Sequence, residues 1–259
     1  MRTEEMRLRM HSVWLGEEGA EASFQMAKIK AEAGDEKGVE RMLRQALIAW
    51  PEHKGALTMM RPITDRYVSK NRYRLPVDGL WGVISDYDDH HKRVAYMAYA
   101  LDMVKLDEKF RGSGVERPQR VEDIYTWGAP VYAAADGEVY SVKEGYPDYP
   151  LGEFGEFWNA NMVCIVHAGG EQTIYGHLQK GSIAVKKGQK VKAGEMIARA
   201  GNSGSSMSPH LHWQMMDRDG IGLPMTFVDF AEVTREGEKK VETGRVVEEH
   251  VYRNRVGGN

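Results

Sequence analysis

The sequence predicts an α+β protein, mainly antiparallel β: a β-sheet or sandwich domain preceded by an N-terminal helical hairpin. Three observations predict it. Residues 1–60 are rich in Ala, Glu, Lys, Arg and Met and poor in β-branched residues, a composition that favours helix. From about residue 61 to 232, Gly, Val, Tyr and Pro rise, and short alternating runs are separated by turn residues. That texture belongs to an antiparallel sheet. Residues 233–259 are charged and poor in large apolar side chains, and read as a surface tail with one edge strand around Val246 to Val251.

Taken in order, Gly34-Asp35 interrupts the first helical stretch and Pro51 ends the second. Between them Val39, Met42, Leu43, Ala46 and Leu47 recur at three- and four-residue spacings, which makes one apolar helix face. Further on, Pro130 to Ala135 leads through Asp136-Gly137 to Glu138 to Val142. Asp-Gly between two such runs is a hairpin signal, because both residues tolerate positive φ. Met162-Val163-Cys164-Ile165-Val166 reads as a buried strand, and Val185, Val191 and Ile197 mark shorter pieces. Glu144 to Pro150 must be a loop, and loops beside a sheet often border a binding groove.

Bulk properties narrow the function classes. With 259 residues, 42% hydrophobic and 28% charged, the chain has an ordinary globular composition. A net charge of −3 gives no footprint for nucleic acid. A single cysteine, Cys164, excludes an internal disulfide and a Cys-based zinc knuckle, so a metal must be held by His, Asp or Glu. No run reaches transmembrane length, and no apolar leader follows the first residues. The expectation is a protein acting inside the cell, or one whose exporting segment lies outside this chain.

The chemistry-bearing residues form three groups. In Pro209-His210-Leu211-His212-Trp213, strand alternation puts His210 and His212 on one face and Leu211 on the other. One imidazole can bind a metal while its neighbour handles protons. Tyr175-Gly176-His177-Leu178 follows the strand-like Gln172-Thr173-Ile174. Asp86, Asp88, Asp89, His90 and His91 precede Tyr99-Ala100-Leu101-Asp102-Met103, where Leu101 and Met103 face a core and Asp102 faces outward or into a site. Carboxylates and imidazoles are suitable zinc ligands.

Together these pieces resemble a known family. Gly128-Ala129-Pro130-Val131-Tyr132-Ala133-Ala134-Ala135-Asp136-Gly137, His167-Ala168-Gly169-Gly170, Tyr175 to Leu178, Val185 to Ile197, Gly201-Asn202-Ser203-Gly204 and His210-Leu211-His212 follow one another with the order and spacing of the LytM/lysostaphin-like M23 metallopeptidases. Residues 61–232 are identified as such a domain. The resemblance implies a LytM-like fold, a Zn2+ cofactor and hydrolysis of peptide bonds in peptidoglycan cross-links or stem peptides. It implies zinc ligation by Asp102 and His212, with His177 and His210 flanking the attacking water and the substrate carbonyl. The usual third ligand, four residues before the Asp, would be Ala98, which cannot bind metal. A divergent branch uses a His further upstream, ahead of a Tyr-Ala-x-Asp block. That branch points to His91, with His90 as the alternative. The insert from Glu108 to Thr126 departs from compact members.

The same resemblance implies an extracytoplasmic location and a peptidoglycan substrate, for which Tyr146, Tyr149, Phe154, Phe157 and Trp158 would form groove walls. The alternative within the fold is a non-catalytic protein that binds cell wall or regulates another hydrolase. The N-terminal segment resembles a tetratricopeptide repeat, on Gly34-Asp35, Ala46-Leu47, Pro51 and Ala56-Leu57. That likeness implies a protein partner for the helices.

Overall fold

A computed structural model describes residues 15–86 and 90–255. Residues 1–14 of the expected helical region, Asp88 and Asp89, and the closing Gly257-Gly258-Asn259 lie outside the described residues. The described chain divides into two units. The first takes in residues 15–68, 90–99 and 216–224, and the second 69–86, 100–215 and 225–255.

The first unit is built on helices α1 (Glu17–Glu32), α2 (Glu36–Ala49) and α3 (Lys54–Thr64). Gly34-Asp35 separates α1 from α2 as the sequence predicts. The Asp35 carboxylate accepts the Gly38 N–H at 2.9 Å, satisfying one of the orphan donors of the α2 N-terminus. His53 does the same for α3, with Nδ1 accepting from the Ala56 N–H at 3.0 Å. Its Nε2 then carries the proton, and donates to Glu21 at 3.0 Å. The apolar face of α2 is the predicted one: Val39, Met42, Leu43, Ala46 and Leu47 are all buried. They pack with Ala20, Met26 and Ala27 of α1 and with Ala56 and Met60 of α3. Ala95 and Ile221 join that core from distant parts of the sequence. Backbone bonds fix both: Ala95 N–H to the Pro51 carbonyl (2.9 Å) and Gly222 N–H to the Ala95 carbonyl (2.7 Å).

The second unit is a ten-stranded sheet with a two-stranded ribbon. The strands are β1 (Leu80–Ser85), β2 (Leu101–Leu106), β3 (Pro130–Tyr132), β4 (Gly137–Lys143), β5 (Met162–Val166), β6 (Gln172–Gly176), β7 (Lys190–Val191), β8 (Met196–Arg199), β9 (Leu211–Met216), β10 (Phe227–Thr234), β11 (Gly237–Gly244) and β12 (Val251–Asn254). The large sheet runs in the order β11-β10-β12-β1-β2-β9-β6-β5-β4-β7, and β3 pairs with β8. Pairing is antiparallel at β1–β2, β2–β9, β4–β5, β5–β6 and β10–β11. Tyr73, Trp81, Tyr175, Trp213, Phe227 and Phe230 are fully buried in this unit, with the Trp213 and Phe227 rings 5.0 Å apart.

Two elements differ from expectation. Asp136-Gly137 does not close a hairpin. The runs on either side find other partners, β3 with β8 and β4 with β5 and β7. The Asp136 carboxylate instead accepts from the Ala193 N–H at 2.9 Å and from Lys192 Nζ at 2.7 Å. Local turn chemistry marks a bend but does not choose the strand's neighbour. The second difference is residues 233–255, expected as a tail with one edge strand around Val246 to Val251, where β11 and β12 join β10 in the large sheet and β12 lies inside it between β10 and β1. β11 is the edge strand and mostly exposed, and its Lys239, Lys240 and Glu242 are what an edge needs to discourage further pairing. Charge there protects an edge, which composition by itself reads as solvated tail.

Candidate active site

The central strands β2, β9 and β6 are consecutive neighbours in the sheet. Their register assembles the site. Asp102 on β2 lies directly opposite His212 on β9. A cross-strand pair of this kind brings side chains on one face within contact, and Asp102 Oδ1 is 3.0 Å from His212 Nδ1. His210, two residues before His212, presents Nε2 at 3.6 Å from the same carboxylate oxygen. His177 stands just beyond the end of β6, its ring centroid 4.5 Å from that of His210 and 5.9 Å from that of His212. Gly176 packs closely against the site: a Cβ there would lie 3.3 Å from His212 Cβ, a tight contact. The structure therefore brings Asp102, His177, His210 and His212 together. His91 belongs to the first unit, where it is buried in the 3-10 turn His90–Arg93, with the exposed His90 ring 4.0 Å away.

Each imidazole is held by an oxygen acceptor, and the acceptors fix which nitrogen carries the proton. The Ser203 carbonyl accepts from His177 Nδ1 at 2.7 Å. The Ser208 carbonyl accepts from His210 Nδ1 at 3.0 Å, with Ser206 Oγ also at 3.0 Å. A carbonyl can only accept, so both rings carry hydrogen on Nδ1, and when neutral both present Nε2 as a lone pair. His212 is turned the other way. Its Nε2 meets Gln214 Oε1 at 2.8 Å, and its Nδ1 faces Asp102.

The loop from Gly201 to Ser208 that supplies these carbonyls is itself tied down. Ser203 Oγ donates to the Leu178 carbonyl (2.8 Å) and accepts from the Asn161 N–H (3.0 Å). Ser206 Oγ bonds Asn202 Oδ1 at 2.7 Å, and Asn202 Nδ2 donates to the Tyr149 carbonyl at 2.8 Å. Gly204 has φ +74, and a Cβ at that position would fall 2.7 Å from Ala160 Cβ. Only glycine suits both the left-handed backbone and the space. His177 also sits at positive φ, 55°, without being glycine. Such strain costs on the order of 1–3 kcal/mol and persists where surrounding bonds over-determine it.

Electrostatics separate the rings. Burial, then the neighbouring His210 and His212 rings, push His177 down to about 3, so it is neutral near pH 7. Burial also works against charge on His212. The hydrogen bond and charge of Asp102, with the bond to Gln214, outweigh it and leave His212 raised. Cys164, by contrast, is buried in β5 and desolvation pushes its thiol up to about 11, which suits an inert core residue.

Residues 120–222 match the sequence model of peptidase family M23. The chain carries an M23 peptidase domain. That match contains His177, His210 and His212 and begins after Asp102. Among curated relatives, Endolysin 2638A of Staphylococcus phage 2638A is 31% identical over 196 residues, 69% of this chain and 37% of that protein. The peptidoglycan DD-endopeptidase ShyA of Vibrio cholerae is 32% identical over 145 residues, 56% of this chain and 27% of that protein. An uncharacterized metalloprotease of Haemophilus influenzae is 41% identical over 115 residues, 44% of this chain and 22% of that protein. The chain thus spans well under half the length of each. A solved zinc-containing peptidase from Vibrio cholerae is 27% identical, with 60% of this chain and 39% of that one covered at a TM-score of 0.36.

Sequence reasoning assigned no role to Gln214, Ser203, Ser206 or Ser208, which hold the histidines of the M23 domain. Strand alternation carried one step past His212 reaches Gln214. The Gly201 to Gly204 block was visible as a motif, but backbone carbonyls leave no residue-specific mark.

Proposed function

We propose that the chain is a zinc-dependent endopeptidase that hydrolyses peptide bonds in peptidoglycan. The observation that carries this reading is the cross-strand pair Asp102–His212 flanked by His177 and His210. The donor set fits zinc. Two ligands of one tetrahedral zinc at about 2.0–2.1 Å lie about 3.3 Å apart, and Asp102 Oδ1 and His212 Nδ1 are separated by 3.0 Å. His212 faces acceptor oxygens from both ring nitrogens, which a cation at Nδ1 and a proton at Nε2 satisfy together. Asp102 and His212 are the first two proposed ligands. The third is His91, on the resemblance to the divergent branch. His91→Ala should lose zinc and His90→Ala should keep it; the reverse result reassigns the ligand.

Zinc held by these residues would lower the pKa of a water towards neutrality and polarise the scissile carbonyl. His177 and His210 both hold their hydrogen on Nδ1 and present Nε2 as a lone pair when neutral, so either is placed to take a proton there. The other ring steadies the oxyanion when it carries a proton on Nε2 and donates it. Exposed Phe154, Phe157 and Trp158, on a loop bonded to the Gly201–Ser208 segment through Gly155 N–H to the Gly204 carbonyl (2.8 Å), offer walls for an extended substrate. Such a substrate places the protein outside the cytoplasm, and the helical unit is offered as a docking module for a protein partner. The test is zinc content of the purified chain together with release of soluble peptides from isolated peptidoglycan. Zinc-loaded protein that releases nothing would leave the alternative, a non-catalytic wall-binding or regulatory protein.

A further inference from the structure

We infer that Gln214 is a positioning residue that selects Nδ1 of His212 as the metal-binding nitrogen. The inference rests on the zinc reading above. The three imidazoles grouped beside Asp102, His177, His210 and His212, each have a nitrogen claimed by an oxygen acceptor other than Asp102. For His177 and His210 the acceptor is a backbone carbonyl, and the claimed nitrogen is Nδ1. For His212 the acceptor is a side chain, Gln214 Oε1, and the claimed nitrogen is Nε2. His212 is therefore the one of the three turned to present Nδ1, and the group that turns it is encoded by a single replaceable residue.

The placement is specific. Gln214 is two residues beyond His212 on β9, so both side chains leave the same face of the strand. Gln214 is 4% exposed, and its carbonyl oxygen is 2.8 Å from the ring nitrogen. On the opposite side of the ring, Asp102 Oδ1 is 3.0 Å from Nδ1. The imidazole is clamped between two oxygens, one of which shares the cation and one of which takes the remaining N–H. A histidine ligand whose distal N–H lacks such an acceptor can flip or change tautomer, and loses affinity for its metal.

The experiment compares the full-length wild type with Q214L and Q214E. Each protein is stripped with a chelator and titrated with Zn2+ against a chromophoric competitor. Q214L, which keeps the bulk but loses the acceptor, should bind zinc about 10–100-fold more weakly. Q214E keeps an acceptor at the same reach and should hold wild-type affinity or tighten it. Nitrogen-15 NMR of the zinc-loaded wild type should show the His212 proton on Nε2. Q214L with wild-type affinity, or a His212 proton on Nδ1, overturns the inference. Should Q214L fail to fold, Q214E decides: a ten-fold loss of affinity there sinks the idea. A wild type that binds no zinc overturns the zinc reading itself, which is a separate result.

Discussion

The two units bury different kinds of side chain. The helical unit excludes water mainly with Ala, Leu and Met, and its buried polar side chains Ser23, His53, Thr64 and His91 stand on or beside α-helices or a 3-10 turn. The sheet unit buries Asp102, His167, Glu171, Asn202, Ser203, Ser206 and Gln214. Burying such groups is unfavourable unless each finds a partner. Glu171 illustrates the cost being met, since its carboxylate accepts from the Lys70 N–H at 2.7 Å, Asn71 Nδ2 at 2.6 Å and the Tyr73 hydroxyl at 2.9 Å. The lesson is that a helix hairpin can be specified by apolar spacing, whereas a reactive centre has to be specified by a network.

That contrast can be broken at its strongest point first. His212→Ala removes a proposed ligand, so zinc affinity should fall by more than the roughly 10–100-fold typical of a supporting residue. Peptidoglycan hydrolysis should vanish with it. Metal titration and product release measure both, and a variant that keeps its zinc rules His212 out as a ligand. His177→Ala and His210→Ala should instead retain zinc and lose about 10²–10⁴-fold in rate. Equal loss of metal in either would merge roles that the proposal separates.

In the helical unit, Leu43→Ala should cost about 2–5 kcal/mol of stability through the cavity it leaves, read from urea denaturation. Leu43 is fully buried, and a loss under 1 kcal/mol would mean that the α2 face relaxes around the change.

A smaller effect should appear with acid. His167 lies in the sheet unit, bonded to the Asp136 carbonyl and Thr173 Oγ1, each at 2.8 Å. Burial lowers its pKa in the folded chain despite the Asp136 carbonyl and the Glu171 charge. The unfolded chain therefore takes up this proton first as pH falls below about 6.5, and stability is lost on acidification through that window. His167→Gln should flatten the dependence of the urea midpoint on pH; an unchanged slope would remove His167 from the account. Last, native Cys164 should react with iodoacetamide far more slowly than the unfolded chain, because burial disfavours the thiolate. Equal rates would contradict its placement in β5.

The sequence by itself determined the helices and the choice of candidate residues. Periodicity at Val39 to Leu47 is a local property, and Gly34-Asp35 and Pro51 are local punctuation, so α1 and α2 were legible in advance. His210 and His212 share a strand face by alternation, and the motif series from Gly128 to His212 identified the domain type. What the tertiary structure decided is everything that depends on which strand lies beside which. Asp102 and His212 meet because β2 pairs with β9 in one register, and a slip of one residue would send Asp102 to the other face. Asp136-Gly137 looked like a hairpin and is a crossing between two sheets. Residues 237–244 looked like a tail and are an edge strand. The carbonyls of Ser203 and Ser208 that set two histidine tautomers belong to the backbone, which every residue type shares. Spacing along a chain reports local geometry; the partner across a ladder, and the carbonyl beside a ring, are settled only when distant segments close on one another.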